Sequence, residues 1–230
     1  MIEPKRTIKA PKFIILSFLT ILNTLMLLRV LFTFTFHRIT THETLWSFIL
    51  SSLYLIFVFI SDANLYLFNS TKLEKFNSII RNSYSIIAYS YCYSITFEFW
   101  TILFCGLVFG KNPFSEKKNV SLIAFVEALY LHLGITFIMV TDLIMTKREI
   151  EKKNNKIFLI INFIYLCYSV VVLLANYVFL MPAYPFMKNA GVGLMVLIFV
   201  FSLILLNGSY FLHLFLVRLI NDKKANKKIQ

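Results

Sequence analysis

Charge, paired cysteines and polar stretches are what this 230-residue chain has least of. Only 15% of the residues are charged, against 59% hydrophobic, which is too apolar for a soluble domain of this length. Three cysteines, Cys92, Cys105 and Cys167, stand singly in apolar surroundings. With no CxxC pair and no Cys/His cluster there is neither a zinc motif nor a disulfide framework, and packing is the plainest role for all three. No linker, low-complexity tract or internal repeat divides the chain, and no stretch is long and polar enough to form a soluble domain.

What is present is a series of long apolar runs. A bilayer core about 30 Å thick needs roughly 20 apolar residues to cross it as a helix. The runs predict spans at 13–36, 44–68, 79–109, 120–146, 157–181 and 190–219. The expected architecture is all-α, a polytopic six-transmembrane-helix bundle, with residues 1–230 forming a single membrane domain. Short connections, at 37–43, 69–78, 110–119, 147–156 and 182–189, make sequential helices antiparallel neighbours. The third run is long and carries Ser83, Tyr84, Ser85, Tyr89, Ser90, Tyr91, Tyr93 and Ser94. That polarity and length suit a tilted or broken helix.

The net charge of +12 does not point to nucleic acid, because its distribution is topological and no nucleic-acid motif accompanies it. Lys5, Arg6, Lys9 and Lys12 precede the first span. Lys72, Lys75 and Arg81 fall between the second and third. Lys147, Arg148, Lys152, Lys153 and Lys156 fall between the fourth and fifth, and Arg218, Lys223, Lys224, Lys227 and Lys228 follow the sixth. Arg38, Lys111, Lys117, Lys118 and Lys188 occupy the opposite loops. Seventeen basic residues against five place both termini in the cytosol. These basic loops also suit contact with anionic lipid headgroups. The basic-then-apolar N-terminus reads as an uncleaved first span, since the run is too long for a cleavable signal. The terminal Lys227-Lys228-Ile229-Gln230 resembles a dilysine retrieval signal and gives the endoplasmic reticulum as the expected address. Of three glycosylation sequons, Asn69 faces the cytosol in this topology, Asn207 lies within a span, and Asn119 hugs the membrane.

Ionisable residues inside spans cost roughly 2.5–3.5 kcal/mol on insertion scales, so they belong in the bundle interior or a wet cavity. The candidates are Arg29, Glu98, Glu127, His132, Asp142 and His213, with Asp62 at the inner end of span two and Asn176 and Asn207 adding neutral polarity. Asp62 and Asp142 read as structural partners of nearby basic residues. Glu98 reads either as a proton-bearing group or as a buried partner of Arg29. His132, within Tyr130-Leu131-His132-Leu133-Gly134, reads as an interhelical hydrogen-bonding group or a base. Thr44 follows the polar rim His37, Arg38, Thr40, Thr41, His42 and Glu43 and reads by itself as a helix N-cap.

Four segments, in order, carry a resemblance. These are Thr44-Leu45-Trp46-Ser47 running without a gap to Ser61-Asp62, then Phe99-Trp100, then His132 with Asp142 ten positions on. Last come Tyr184-Pro185-Phe186 and Gly191-Val192-Gly193. Together they resemble the androgen-induced membrane protein family over most of the chain, from span one into span six. The resemblance implies an intramembrane threonine hydrolase of fatty-acid esters of hydroxy fatty acids, with Thr44 as nucleophile and His132 as base. It implies membrane lipids and a lipid ester as partners, and neither a metal nor any other cofactor. The family's Asn-His pair ahead of the catalytic histidine is replaced by Ala128 and Leu129, and its His pair ahead of Tyr-Pro-Phe by Asn176-Tyr177. Those departures leave a silent membrane protein of the same fold as a rival expectation. A small transporter ranks behind it, because the two halves lack matching broken segments.

Overall fold

A computed structural model of the chain describes residues 10–34, 42–68, 72–108, 122–146, 155–181 and 191–226. Among the described residues the fold is helical, with no strand. Helix α1 is Ala10–Thr33 and α2 is Glu43–Phe68. Helix α3, Glu74–Ile79, runs through a π turn, Ile80–Tyr84, into α4, Ser85–Val108. Helix α5, Leu122–Leu129, runs through a second π turn, Tyr130–Gly134, into α6, Ile135–Met145. Helices α7 and α8 are Asn155–Tyr177 and Val192–Asn226.

Five helical stretches are long and apolar enough to cross a membrane: α1, α2, Val126–Met145, α7 and Val192–Asp222 within α8. The predicted third span is not among them, although its helix is continuous from Glu74. Its polar side chains are gathered inside the bundle. Helix α4 is the hub, packing against α2, α6, α7, α8 and the second π turn. Ser85, Ser90 and Ser94 are buried on it, as are Tyr89, Tyr91 and Tyr93. The peripheral helices show the opposite pattern. Helix α1 turns Ile14, Phe18, Ile21, Leu25 and Phe32 outward, and α7 turns out Leu159, Phe163 and Leu166. Apolar outside and polar inside is the arrangement hydrocarbon demands, since lipid offers a polar group no partner.

Small and polar side chains therefore hold the helices together. Ser51 and Ala88 are fully buried where α2 meets α4, and the Ser51 hydroxyl donates to the Ala88 carbonyl at 3.3 Å. Asn23 of α1 donates to Ser52 of α2 at 2.9 Å. Asn162 and Asn207 exchange amide hydrogen bonds at 3.1 and 3.2 Å, joining α7 to α8. The sequon at Asn207 is thus occupied by a helix contact inside the bundle.

Helix α7 ends earlier than the predicted 181. Leu180 takes the left-handed conformation, with φ of 52°, and the Met181 amide donates back to the Ala175 carbonyl at 2.8 Å. That bond reaches back six positions, one more than a Schellman cap, and the left-handed position falls on leucine where glycine is usual. Helix α8 runs past the predicted 219 to Asn226. The first span is shifted toward the N-terminus and the third begins at Glu74, ahead of the expected 79.

Asp62 and Asp142 meet the same cation, Arg81. One terminal nitrogen of Arg81 donates to both Asp62 oxygens at 2.7 Å, its Nε donates to Asn77 at 2.8 Å, and its other terminal nitrogen lies 3.7 Å from Asp142. Tyr54 and Tyr89 donate to the second Asp142 oxygen at 2.6 and 3.2 Å. Both aspartates are structural partners of a basic residue, as expected. The correction concerns Arg81, which the charge count places in a cytosolic loop. It is buried, because the first π turn carries it inward between two carboxylates. Arg81→Met leaves both carboxylates without a counter-ion, and breaking a buried pair this way costs about 3–5 kcal/mol. Thermal unfolding of the detergent-solubilised chain should show a large loss of stability, most of it recovered in Arg81→Met/Asp62→Asn/Asp142→Asn.

Candidate functional site

His132 sits in the second π turn, and Arg81 in the first. A π turn inserts one residue into a helix, leaving local backbone groups to be satisfied from outside. Thr96 of α4 supplies one such partner, donating to the His132 carbonyl at 2.6 Å. Thr96 also bonds the Thr136 hydroxyl at 2.6 Å, and the Cys92 sulfur lies 3.1 Å from Thr136. This chain of hydroxyls fastens the turn to the hub helix. It also gives buried Cys92 a weak polar contact beyond plain packing.

The imidazole of His132 stacks on Phe99, with ring centres 4.4 Å apart and planes 20° apart. The Ile95 backbone lies within hydrogen-bond reach of the ring. The Nδ1 atom is buried and has no hydrogen-bond partner. A buried, unbonded ring nitrogen is uncommon, and it is available to a hydroxyl that comes within range.

Thr44 is half-buried in the first turn of α2. It is not the N-cap that the sequence suggests. The His42 carbonyl accepts from Leu45 and Trp46 at 3.0 and 3.2 Å, which makes His42 the capping position and puts Thr44 inside the helix. Thr40, Thr41, His37 and Arg38 lie outside the described residues.

Helix α2 packs against the second π turn and against α6. Phe48 meets the Tyr130 ring edge-on at 6.2 Å, and Tyr54 reaches Asp142. Both contacts advance in the same chain direction, so the two helices run parallel. Ten residues before Tyr54 is Thr44, and ten before Asp142 is His132. At 1.5 Å per residue, both lie about 15 Å along from the Tyr54–Asp142 contact. Counted from the Phe48–Tyr130 contact, Thr44 lies four residues before it and His132 two after it, about 9 Å apart along the axis, so the two contacts bring neighbouring elements together without setting the two side chains at one level. No hydrogen bond joins them among the described residues.

Arg29 pairs with Glu127, a partly exposed contact between α1 and α5. Glu98 is therefore not the partner of Arg29; it accepts from Ser94 at 3.4 Å instead. His213 is buried and lies against Tyr89, ring centres 4.5 Å apart. Asn176 is buried in α7. Sequence reasoning missed Glu43, which it left on the solvated rim. Glu43 is 7% exposed and sits near enough to Glu98 to interact with it electrostatically. The missed signal is angular. Glu43 shares a helical face with the buried Ser47, whereas Thr44 lies one step round.

No protein-family model, no curated protein and no solved structure matches this chain.

Gly134 closes the second π turn with the Tyr130 ring lying over it. A methyl group there would meet the ring at 2.7 Å. Tyr130 in turn reaches Asn23 of α1 at 3.3 Å. Gly134→Ala should displace that ring, loosen α1 and cost about 1–3 kcal/mol of stability. A double-mutant cycle with Tyr130→Leu, read by thermal unfolding, should show a smaller penalty for the alanine once the ring is gone.

Proposed function

We propose that this chain is a six-span membrane enzyme hydrolysing carboxylic esters of lipids, with fatty-acid esters of hydroxy fatty acids as the substrate class. Thr44 is the nucleophile and His132 the general base. The observation that supports this most is the buried Nδ1 of His132, without a hydrogen-bond partner, in a π turn that packs against α2, the helix that carries Thr44. In this reading the continuous helical run 74–108 is the remaining crossing, its polar side chains turned toward its neighbours. Both termini are then cytosolic, as the basic loops favour.

Threonine is a weak nucleophile, so its proton must pass to a base as its oxygen attacks. Neutral imidazole takes that proton and returns it to the departing alkoxide, releasing the hydroxy acid and leaving an acyl-threonine. Water attacks this second ester with the same histidine as base, releasing the fatty acid and restoring the hydroxyl. A substrate carbonyl between Thr44 and His132 would draw the two side chains into one hydrogen-bonded line, and catalytic contacts often tighten only in the complex. Bilayer delivery of substrate suits a chain whose polar groups lie inside its helices.

A second reading, a membrane protein without catalysis that acts through partners, is favoured by the unjoined Thr44 and His132 and by Ala128 and Leu129 in place of polar groups. Membranes holding matched amounts of wild type, Thr44→Ala and His132→Ala distinguish the two. With a fatty-acid ester of a hydroxy fatty acid, Thr44→Ala should abolish turnover and His132→Ala should reduce it about 10²–10⁴-fold. Equal turnover in all three would exclude the Thr–His mechanism, and none in wild type would favour the non-catalytic reading.

The address proposed for the chain is the endoplasmic reticulum, through Lys227 and Lys228, which lie outside the described residues. Lys227→Ser/Lys228→Ser should move the protein to later secretory compartments by fluorescence microscopy; an unchanged distribution would remove the dilysine assignment.

A further inference from the structure

Arg29 and Glu127 form their ion pair at the outer edge of the bundle, where α1 meets α5. The Arg29 side chain is 52% exposed and that of Glu127 22%. Arg29 gives its Nε proton to one carboxylate oxygen of Glu127. Its two terminal nitrogens, and the second oxygen of Glu127, have no partner among the described residues. Arg29 stands four residues before the end of α1, and Glu127 is the second residue of the membrane-length stretch Val126–Met145. At 1.5 Å per residue, both lie within about 6 Å of the ends of their spans, where hydrocarbon gives way to phospholipid headgroups. A guanidinium on its long stem reaches the headgroups from there. Beside the pair opens a cleft floored by Met26, Val30, Phe34 and Leu131.

Each member of the pair has hydrogen-bonding capacity left over. The pair is neutral as a whole, so it offers no net attraction to an anionic lipid. It presents a dipole instead, with donors on Arg29 and an acceptor on Glu127. We propose that this dipole binds a zwitterionic phospholipid with a primary ammonium head, the phosphatidylethanolamine class. The phosphate sits on the terminal nitrogens of Arg29, and the ammonium donates to the second oxygen of Glu127. The planar N–H donors of arginine fit phosphate oxygens in pairs. An ammonium has N–H groups to give a carboxylate, whereas the trimethylammonium of a choline head has none. The short ethanolamine arm between the two charges suits two side chains already in contact. An acyl chain of the same lipid covers the apolar cleft, so the lipid ties α1 to α5 from outside. A fatty-acid carboxylate or an anionic headgroup has nothing to offer Glu127 and meets its repulsion. The site stands apart from the ester-hydrolysis proposal, and its test does not use hydrolysis.

The test is native mass spectrometry of the full chain, released from uncharged detergent and titrated with phospholipids that share their acyl chains and differ in headgroup. Wild type should bind phosphatidylethanolamine about fivefold more tightly than phosphatidylcholine, the scale of one exposed ionic contact. The N-methyl and N,N-dimethyl headgroups should fall between them, in the order of their remaining N–H groups. Glu127→Gln should abolish this preference. Arg29→Gln should weaken every headgroup in the series, because all of them carry the phosphate. The methylation series needs wild type alone, which keeps the test open should a variant not fold. Equal binding of the ethanolamine and choline lipids by wild type, or an undiminished preference in Glu127→Gln, overturns the site. Tighter binding of phosphatidylglycerol or oleate than of phosphatidylethanolamine would mean that Arg29 reads an anion alone, and also overturns it.

Discussion

Polar groups on the hub helix must find their partners within the bundle, because the surrounding hydrocarbon offers none. The rest of the architecture answers that requirement. Three buried serines and three buried tyrosines on α4 would be costly facing lipid; the serines bond within their own helical run, while Tyr89 and Tyr91 reach carbonyls of α6 and α7. Serine and alanine at the α2–α4 contact let the backbones come close enough for a side chain of one to reach a carbonyl of the other. Peripheral helices then need only an apolar outer face and one or two polar ties. Helix α1 has such ties in Asn23 and Arg29.

The strongest electrostatic feature and the candidate catalytic residue occupy equivalent devices. Arg81 and His132 each sit in a π turn, and each turn is braced by a neighbouring element. Arg81 is held by carboxylates, so its charge is matched. His132 is held through its backbone carbonyl and an aromatic face, so its imidazole stays largely uncommitted. One turn matches a buried charge with carboxylates, whereas the other leaves a buried ring nitrogen unbonded.

Much of the fold was legible in the sequence because hydrocarbon thickness and apolar run length are directly linked. The helices fall close to the predicted spans, and the pairing of Asp62 and Asp142 with a basic residue followed from their place near the basic inner boundary. Three things were not legible. The identity of that basic residue depended on a π turn, which leaves no signature in apolar periodicity. The burial of Glu43 depended on which way the first turn of α2 faces, and a polar rim in the sequence conceals that angle. The end of α7 depended on Leu180 adopting a conformation usually left to glycine. The site was partly legible: Thr44 and His132 stood out by residue type and resemblance, while the unbonded ring nitrogen of His132 depended on how its π turn packs.

A π turn also alters how a helix tolerates changes in length. Each one sets the segments before and after it out of phase by roughly one residue's rotation, about 100°. Deleting a single residue between Tyr130 and Gly134 would scarcely shorten the rod, yet it would turn Asp142 and everything after it relative to Glu127 and everything before it. The side that meets Arg29 and the side that meets Arg81 are therefore phased independently along one rod. Sequence drift in α5 can re-aim its residues without disturbing the ion network in α6, provided the extra residue stays.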